Sequence, residues 1–388
     1  MRSILTLLML IMLSACSKTE SPNFEDRLHS NKFIKQVITD PKHEVQIIFT
    51  EINRDSLGKP IFNSHTFQLD SNKYFYPAST VKMPVAILAL EKLHELAISG
   101  LDKHTTMLTD SAYSGQSAAL TDSTSKNGLP SIAHYIKKLF IVSDNDAYNR
   151  LYEFLGQNYI NEKLSAKGYE KTRITHRLSI SLTKEENLAN NPIRFIKNDS
   201  VIYSEPLRHD LGVSKDVNIT KGKGFIKNDS LVQEPFDFSY KNFFPLHEQQ
   251  RMLKAIFFPE SLIVESQFKL SEDDYKFLKE CMSTLPGDSE YPRYDRKEYY
   301  DAYVKFLMFG DDKEPIPNHI KIYNKIGQAY GYMTDNAYIV NTNTGEEYML
   351  SATVHVNNNE IYNDGVYEYD SIGYRFMREL GRLLIATD

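Results

Sequence analysis

A serine and a lysine lie three residues apart in the run Tyr-Pro-Ala-Ser-Thr-Val-Lys-Met-Pro over residues 76–84, at the start of an apolar segment. On a helix, residues three apart share a face, so the amine of Lys82 would lie beside the hydroxyl of Ser79. A lysine that is held neutral can take the proton of a serine and make it a nucleophile. The N-terminus of the helix adds free N–H groups that favour an oxyanion. The pair therefore predicts a covalent serine hydrolase.

The elements that must position this pair are two β-prone runs, over 44–52 and 61–69, and a buried helix over 85–97. Pro84 fits the helix only if its first turn is 3₁₀, because proline has no N–H to donate to the carbonyl of Thr80. Further helices are predicted over 131–140, 144–156, 245–257, 271–284 and 371–385, and further β-rich segments over 320–327, 336–340 and 345–356. Strands from both chain ends flank a helical middle. The predicted fold class is therefore α/β (α+β), with an antiparallel sheet made from both chain ends, flanked by helices, and a mainly helical lobe.

Two later triplets carry side chains that suit the same chemistry. Ser143-Asp144-Asn145 opens the predicted helix over 144–156. It is a good helix cap, and it also supplies a hydroxyl that can pass protons and an amide that can bind a carbonyl. The triplet over 325–327, Lys-Ile-Gly, offers a cation for a carboxylate and a glycine that lets a ligand approach the strand edge.

The ordered set Ser-x-x-Lys, Ser-Asp-Asn and Lys-x-Gly, followed by closing strands and a helix, resembles the motifs of class A β-lactamases and penicillin-binding proteins. The resemblance covers about residues 40–190 and 270–388. It implies a β-lactamase/transpeptidase-like fold and hydrolysis of a β-lactam amide, without metal or organic cofactor. The implied substrate is a small-molecule β-lactam or a compound derived from peptidoglycan.

By position, the resemblance implies that Ser79 is the acylated nucleophile, that Lys82 is its base and that Ser143 relays the proton. The glutamate that deacylates class A enzymes should follow a Thr-Arg-Leu-like segment, which Thr-Arg-Ile matches over 172–174. Arg-Leu-Ser stands over 177–179, where that glutamate is expected. Glu185 and Glu186 follow later, and either is a candidate to position the deacylating water or simply a solvated turn residue.

The resemblance also assigns the binding groups. Asn145 would bind the substrate amide, and Lys325 with Gly327 would hold its carboxylate at the strand edge. The oxyanion hole would combine the backbone N–H of Ser79 with that of Gln328. Ile326 departs from the family, which has Thr or Ser in the middle of this triplet, and its side chain cannot supply the hydroxyl that would help to hold the carboxylate.

Two alternatives remain open on these observations. The departures at Ile326 and at the glutamate position favour a peptidoglycan DD-peptidase, or another amidase or esterase, on the same fold. From a different functional class, a non-catalytic ligand-binding or sensor protein would keep the fold without turnover.

The N-terminal residues have the pattern of an export signal, with Arg2 before an apolar stretch and Leu-Ser-Ala-Cys over 13–16. We predict a lipoprotein signal peptide over 1–15, a lipidated Cys16 and a tether over 16–25, the alternative being an ordinary cleaved signal. A single hydrolase domain would then span 26–388. The predicted location is the bacterial cell envelope, in the periplasm or at the outer membrane, where the lipid is the link to the membrane.

Charge and residue spacing indicate whether nucleic acid or a metal ion is expected as a partner. The net charge is −6 and the basic residues are dispersed, which argues against nucleic acid. The histidines lack metal-ligand spacing, so we expect no metal. Oligomeric state is not indicated by any pattern in the sequence.

A repeated hexapeptide marks an insertion over 191–240. Phe-Ile-Lys-Asn-Asp-Ser occurs at 195–200 and again at 225–230, each time with Asn-Asp between β-prone flanks. Each copy predicts a hairpin. The insertion is either a pair of surface hairpins, or a lid over the site or a partner-binding flap.

Overall fold

An antiparallel five-stranded sheet combines strands from both chain ends, in a computed structural model that describes residues 23–213 and 217–385. Its strands are β1 (Gln46–Arg54), β2 (Pro60–Phe67), β12 (Ile320–Ala329), β13 (Tyr332–Asn341) and β14 (Glu346–His355). Their order across the sheet is β12-β13-β14-β1-β2, so β1 lies between β14 and β2. The predicted sheet from both chain ends is thereby confirmed.

Smaller sheets of two or three strands lie in the helical lobe and the insertion. Their strands are β3 (Thr106–Thr109), β4 (Ala189–Asn190), β5 (Ile193–Lys197), β6 (Ser200–Glu205), β7 (Arg208–His209), β8 (Thr220–Lys221), β9 (Gly224–Lys227), β10 (Ser230–Val232), β11 (Phe236–Asp237) and β15 (Ile361–Tyr362).

Helices cover both faces of the main sheet. They are α1 (Phe24–Ser30), α2 (Lys32–Thr39), α3 (Lys82–Leu96), α4 (Ile132–Ile141), α5 (Asn145–Leu155), α6 (Gln157–Ala166), α7 (Lys184–Leu188), α8 (Leu246–Phe257), α9 (Glu272–Ser283) and α10 (Tyr374–Leu384). One apolar core joins α1, α2 and α10 to one sheet face, and another joins α3 to the rest of the helical lobe. Helix α3 is apolar on all sides because it is the centre of that lobe.

The entry into α3 agrees with the expectation from Pro84. Residues Ala78–Val81 form a 3₁₀ turn, and the α-helix begins only at Lys82, whose N–H bonds the carbonyls of Ser79 and Thr80. Pro84 thus falls in the first turn, where helical N–H groups have no intrahelical acceptor.

Both copies of the repeated hexapeptide form the predicted hairpins. Asn198 and Asp199 have φ of 50° and 58°, and Asn228 and Asp229 have φ of 48° and 58°. Positive φ at both central residues is the signature of a type I′ turn. The first hairpin pairs with β3 in the helical lobe, whereas the second pairs with β15 near the C-terminal end. The two copies therefore serve different parts of the molecule.

The predicted tether ends earlier than residue 25. Asn23 caps α1 by accepting a bond of 2.9 Å from the N–H of Asp26, and Phe24 stacks on Phe49 with ring centroids 6.1 Å apart. These contacts place Phe24 and Glu25 in the folded domain. The predicted signal peptide, Cys16 and the rest of the tether lie outside the described residues. Within the described ranges, no helix is both long and apolar enough to span a bilayer.

Candidate active site

Ser79 lies in the 3₁₀ turn that leads into α3, and its side chain is partly exposed. The residue before it, Ala78, has φ of 46°, a left-handed conformation that strains any residue with a Cβ. Thr80 fixes the turn, because its N–H and its hydroxyl both donate to the carbonyl of Pro77, at 3.1 and 2.8 Å. A strained backbone held in this way is typical of a functional turn.

Strand β12 approaches this turn through Gly327. A Cβ at Gly327 would lie 2.3 Å from the carbonyl oxygen of Pro77 and 3.1 Å from the backbone nitrogen of Ser79. Only a glycine permits that approach. The last motif of the sequence thus abuts the first.

Lys82 is fully buried, and its amine reaches the second triplet. Its Nζ donates to Oδ1 of Asn145 at 2.7 Å, to Oγ of Ser143 at 3.1 Å and to the carbonyl oxygen of Ser143. Among the hydrogen bonds of the described residues, those of this amine go to the triplet rather than to Ser79. Burial lowers the pKa of Lys82 to about 7, against a smaller opposing effect of Asp144. A neutral amine is therefore accessible near neutral pH.

The Ser143 hydroxyl lies between two amines. It accepts from Lys325 Nζ at 2.8 Å as well as from Lys82 at 3.1 Å. Lys325 is 1% exposed, and burial, followed by the charge of Lys82, lowers its pKa well below the usual 10.5. Ser143 itself has φ of 59°, a second strained residue at the site. The arrangement links both lysines through a single hydroxyl that can carry a proton between them.

Asn145 is the first residue of α5, where Asp144 caps the helix by accepting 2.8 Å from the N–H of Ala147. The Asn145 side chain uses both its ends. Its Oδ1 accepts from Lys82, and its Nδ2 donates to Oγ of Ser179 at 2.8 Å. The amide is thereby oriented with its N–H groups toward the segment where the deacylating glutamate was expected.

Ser179 takes that position instead of a carboxylate. Its segment is fixed by Asn149, whose side chain donates to the carbonyl of Leu178 at 3.0 Å and accepts from its N–H at 2.8 Å. Just before it, Arg177 forms a buried ion pair of 2.9 Å with Glu153. The sequence indicated only the stretch Arg-Leu-Ser over 177–179 as the place of the expected glutamate, and the contact with Asn145 singles out Ser179 within it.

The structure does not bring Glu185 and Glu186 to this site. The carboxylate of Glu186 accepts from the N–H of Thr183 at 2.8 Å and from the hydroxyl of Ser114 at 2.7 Å, which closes a capping box on α7 and lowers its pKa. Glu185 is exposed. No contact of the described residues joins either carboxylate to Ser79. Capping of α7 thus accounts for Glu186.

The side chains of Ile326 and of Gln328, the residue after the triplet, face away from Lys325. Ile326 is buried in the core beneath α10, and the side chain of Gln328 accepts 2.9 Å from the hydroxyl of Tyr374. The direction of the backbone N–H of Gln328 follows from the turn that ends β12. The turn after β12 is type I′, with φ of 54° at Tyr330 and 77° at Gly331. The residues flanking such a turn pair with each other, so the N–H of Gln328, one residue earlier, points to the open edge of β12.

Over residues 23–213 and 217–385, no group of three or more His, Cys, Asp or Glu side chains is placed to hold an ion.

Comparison with known proteins gives a family and a fold. Residues 30–201 match the model of the Beta-lactamase enzyme family, a stretch that contains Ser79, Lys82 and Ser143. The structure is similar to that of a β-lactamase from Desulfarculus baarsii DSM 2075, with a TM-score of 0.50 and 14% identity over 94% of this chain and 97% of that one. It is similar to PBP-A, with a TM-score of 0.50 and 15% identity over 93% of this chain and 95% of the other. No curated protein sequence matches significantly.

At these identities the structural likeness shows the fold, and it confirms the predicted β-lactamase/transpeptidase-like class. The family model adds sequence evidence over the segment that carries the first two motifs. The third motif lies against the first through the approach of Gly327 to the Ser79 turn. Residues 30–201 thus match the Beta-lactamase enzyme family, and the chain has the β-lactamase/transpeptidase-like fold.

Proposed function

We propose that this protein is a class A-like serine hydrolase that opens the amide bond of β-lactams through an acyl-Ser79 intermediate. The observation that carries the proposal is the Ser143 hydroxyl, which hydrogen-bonds both Lys82 and Lys325. In this proposal Lys82 is the base, Ser143 the proton relay and Lys325 the cation of one hydrogen-bonded network. The combination suits acyl transfer to serine, in which a proton must leave the nucleophile and reach the departing nitrogen.

Acylation then proceeds as follows. Neutral Lys82 takes the proton of Ser79 while Oγ attacks the carbonyl carbon, and the tetrahedral oxyanion is held by the N–H groups of Ser79 and Gln328. As the carbon–nitrogen bond breaks, Ser143 donates its proton to the nitrogen and is reprotonated from the Lys82 ammonium. Lys325 binds the substrate carboxylate and stabilises negative charge. The products of this step are the opened ring and an ester on Ser79.

Deacylation is the slower half of this reaction. A water molecule must lose a proton as it attacks the ester, and the side chain beside Asn145 is the hydroxyl of Ser179. A neutral hydroxyl is a poor base at neutral pH, unlike a carboxylate. We therefore expect the penicillin ester to accumulate during turnover.

A peptidoglycan DD-peptidase is the second candidate, and Ser179 is the observation that favours it. A peptidase needs the same acylation machinery, and it passes its acyl group to water or to an amine without a dedicated carboxylate for β-lactam esters. A sensor protein would form the ester on Ser79 and would not release it.

Intact-protein mass spectrometry after exposure to benzylpenicillin separates these functions. A covalent adduct on Ser79 that forms and then decays, together with nitrocefin turnover, supports the β-lactamase. An adduct that persists while D-alanyl-D-alanine peptides are cleaved supports the peptidase, and a persistent adduct without peptide cleavage supports the sensor. Ser79→Ala should lose adduct formation by at least about 10³-fold. Ser56→Ala, at an exposed turn, is the matched control. Absence of any adduct in the wild-type protein would contradict the acyl-serine mechanism.

For location, we propose a lipoprotein anchored through Cys16 in the bacterial cell envelope. The support is the sequence Leu-Ser-Ala-Cys after an apolar stretch. In cells that make the protein, Cys16→Ala should abolish incorporation of labelled palmitate and release the protein from the membrane fraction. Unchanged membrane association of this variant would contradict the proposal. Cys281→Ala is the control, since that thiol is buried in the folded domain.

A further inference from the structure

A pocket of about 200 Å³ lies next to the candidate active site, between the segment that contains Ser179 and the end of the insertion. Ile180 and Ser181, which directly follow Ser179, line it together with Asp237 and Lys241. Ser79 does not line this pocket. The pocket is connected to the candidate active site through Ser179, which accepts a hydrogen bond from Asn145.

The end of the insertion packs against the walls of the site. Phe236 packs on Tyr330 with ring centroids 5.5 Å apart, and Phe238 packs on Tyr76 at 6.3 Å. Tyr76 lies three residues before Ser79, and Tyr330 follows β12. Each of these contacts joins the insertion to an element that carries a site residue.

Two lysine amines border the pocket. Lys184 Nζ lies 5.4 Å from the ring centre of Tyr240, and Lys241 Nζ lies 5.7 Å from that of Tyr330. The salt bridges found between described residues include neither lysine. One carboxylate, that of Asp237, also lines the pocket, and it accepts 2.8 Å from the N–H of Ser239. The balance of charge around the pocket is positive.

The position of the pocket decides which half of a substrate it meets. Lys325 would hold the carboxylate on the side of the departing nitrogen, whereas Asn145 would bind the amide on the acyl side. The pocket opens beyond Ser179, the hydrogen-bond partner of Asn145, and so lies on the acyl side. Its volume suits a short chain of atoms rather than a bulky ring system.

We propose that this pocket is a subsite for a carboxylate at the end of the substrate's acyl chain, with Lys184 and Lys241 as specificity-determining residues. The inference rests on the proposed acylation of Ser79 and adds the substrate class: acyl groups that carry a second negative charge several atoms from the reacting carbonyl. The Lys325 cation and the two pocket lysines would then bind opposite ends of one dianionic substrate.

The test uses two penicillins with the same five-carbon acyl side chain, which ends in a carboxylate in one and in a primary amide in the other. The second-order rate constant for the Ser79 adduct is measured for each by mass spectrometry. We expect the carboxylate to react roughly fivefold faster with the wild-type protein, the effect of one exposed ion pair, and less so at high salt. In the double variant K184A/K241A the ratio should fall to about one.

The control K197A/K227A removes the same charge from the two hairpin turns of the insertion and should keep the wild-type ratio. A ratio that survives in K184A/K241A, or that is lost equally in the control, overturns the subsite while leaving acylation intact. Absence of an adduct with both penicillins overturns the proposed function, and the subsite with it.

Discussion

The hydroxyl of Ser179 accepts a hydrogen bond of 2.8 Å from the side-chain amide of Asn145, which in turn accepts from Lys82 at 2.7 Å. Three side chains are thereby connected across the site, and the last of them is a neutral hydroxyl rather than a carboxylate. In the proposed mechanism this relationship separates the two halves of the reaction. The groups proposed to form the ester include Lys82, whereas the side chain that Asn145 contacts beyond it is a poor base for hydrolysing the ester.

Ser179→Glu should therefore accelerate deacylation. The longer side chain can keep the contact with Asn145 and present a carboxylate that removes a proton from water. We expect the lifetime of the benzylpenicillin adduct to fall by roughly tenfold or more, since general bases contribute at least that much. The adduct is followed by intact mass after excess penicillin is removed. Ser200→Glu adds the same charge at an exposed hairpin and should leave the lifetime unchanged. An equal effect of both variants would show that the carboxylate acts only through its charge.

The rate of acylation should depend on pH through Lys82. The base must be neutral, and the pKa of this lysine is lowered to about 7 by burial, so the rate should rise with pH up to about 7 and then level off. The pKa of Lys325 also lies well below 10.5, because of burial and then of the charge of Lys82, so any loss of rate that follows the loss of the Lys325 charge should begin well below pH 10.5. The measurement is the rate of adduct formation from pH 5 to 10. A rate that is independent of pH below 7 would rule out Lys82 as the base.

Gly327→Ala should damage the site through sterics alone. The new Cβ would lie 2.3 Å from the carbonyl oxygen of Pro77, so either the Ser79 turn or β12 must move. We expect acylation to fall by about 100-fold, with a loss of about 1–3 kcal/mol in the free energy of unfolding. Gly345→Ala is the matched control, because nothing lies within 4 Å of its Cβ and only the strain of φ 77° is added. Wild-type acylation by Gly327→Ala would contradict the proposed fit of the strand to the turn.

A buried network of charged and polar side chains includes Asn324, the neighbour of Lys325 in β12. Asp335 is fully buried and accepts from the N–H of Leu307 at 3.0 Å and from Nδ2 of Asn324 at 2.7 Å. Asn324 Oδ1 accepts in turn from the buried amine of Lys305 at 2.7 Å. Burial lowers the pKa of Lys305 to about 7 and raises that of Asp335. Each charged group thus depends on the other, through one amide, for compensation.

Asp335→Asn should destabilise the fold by about 3–5 kcal/mol, because it leaves the Lys305 charge uncompensated and sets donor against donor at Asn324 or Leu307. Urea unfolding at pH 7 measures the change. Asp288→Asn removes the carboxylate of an exposed ion pair with Arg296 and should cost less than about 1 kcal/mol. Similar values for the two variants would mean that the buried network contributes no more than a surface pair.

Much of the fold was predictable because its signals are local. The type I′ turns follow from Asn-Asp dipeptides, and the 3₁₀ start of α3 follows from the place of Pro84. The candidate site residues could be named from the sequence for another reason. Ser79, Lys82, Ser143 and Lys325 are brought together by long-range packing, but each lies in a short motif whose order along the chain is enough to identify it.

What could not be predicted depends on contacts between distant segments. The choice between Glu185, Glu186 and Ser179 required the partner of Asn145 to be known, although the capping box of Glu186 was already visible as Thr-x-x-Glu. The left-handed backbone of Ala78 has no signal in its residue type, because tertiary packing imposes it. The sequence of the insertion likewise predicted its hairpins, but it did not predict the aromatic contacts between the end of the insertion and the site.

The central place of β1 has a consequence for how the molecule is made. While the chain is being synthesised, this strand can pair with β2, but its other edge has no partner until β14 has been completed near the C-terminus. An open strand edge invites pairing with other chains, and such non-local closure is slow. Lys325 belongs to the same late segment, so a prematurely terminated chain would carry both an aggregation-prone edge and an unfinished catalytic centre.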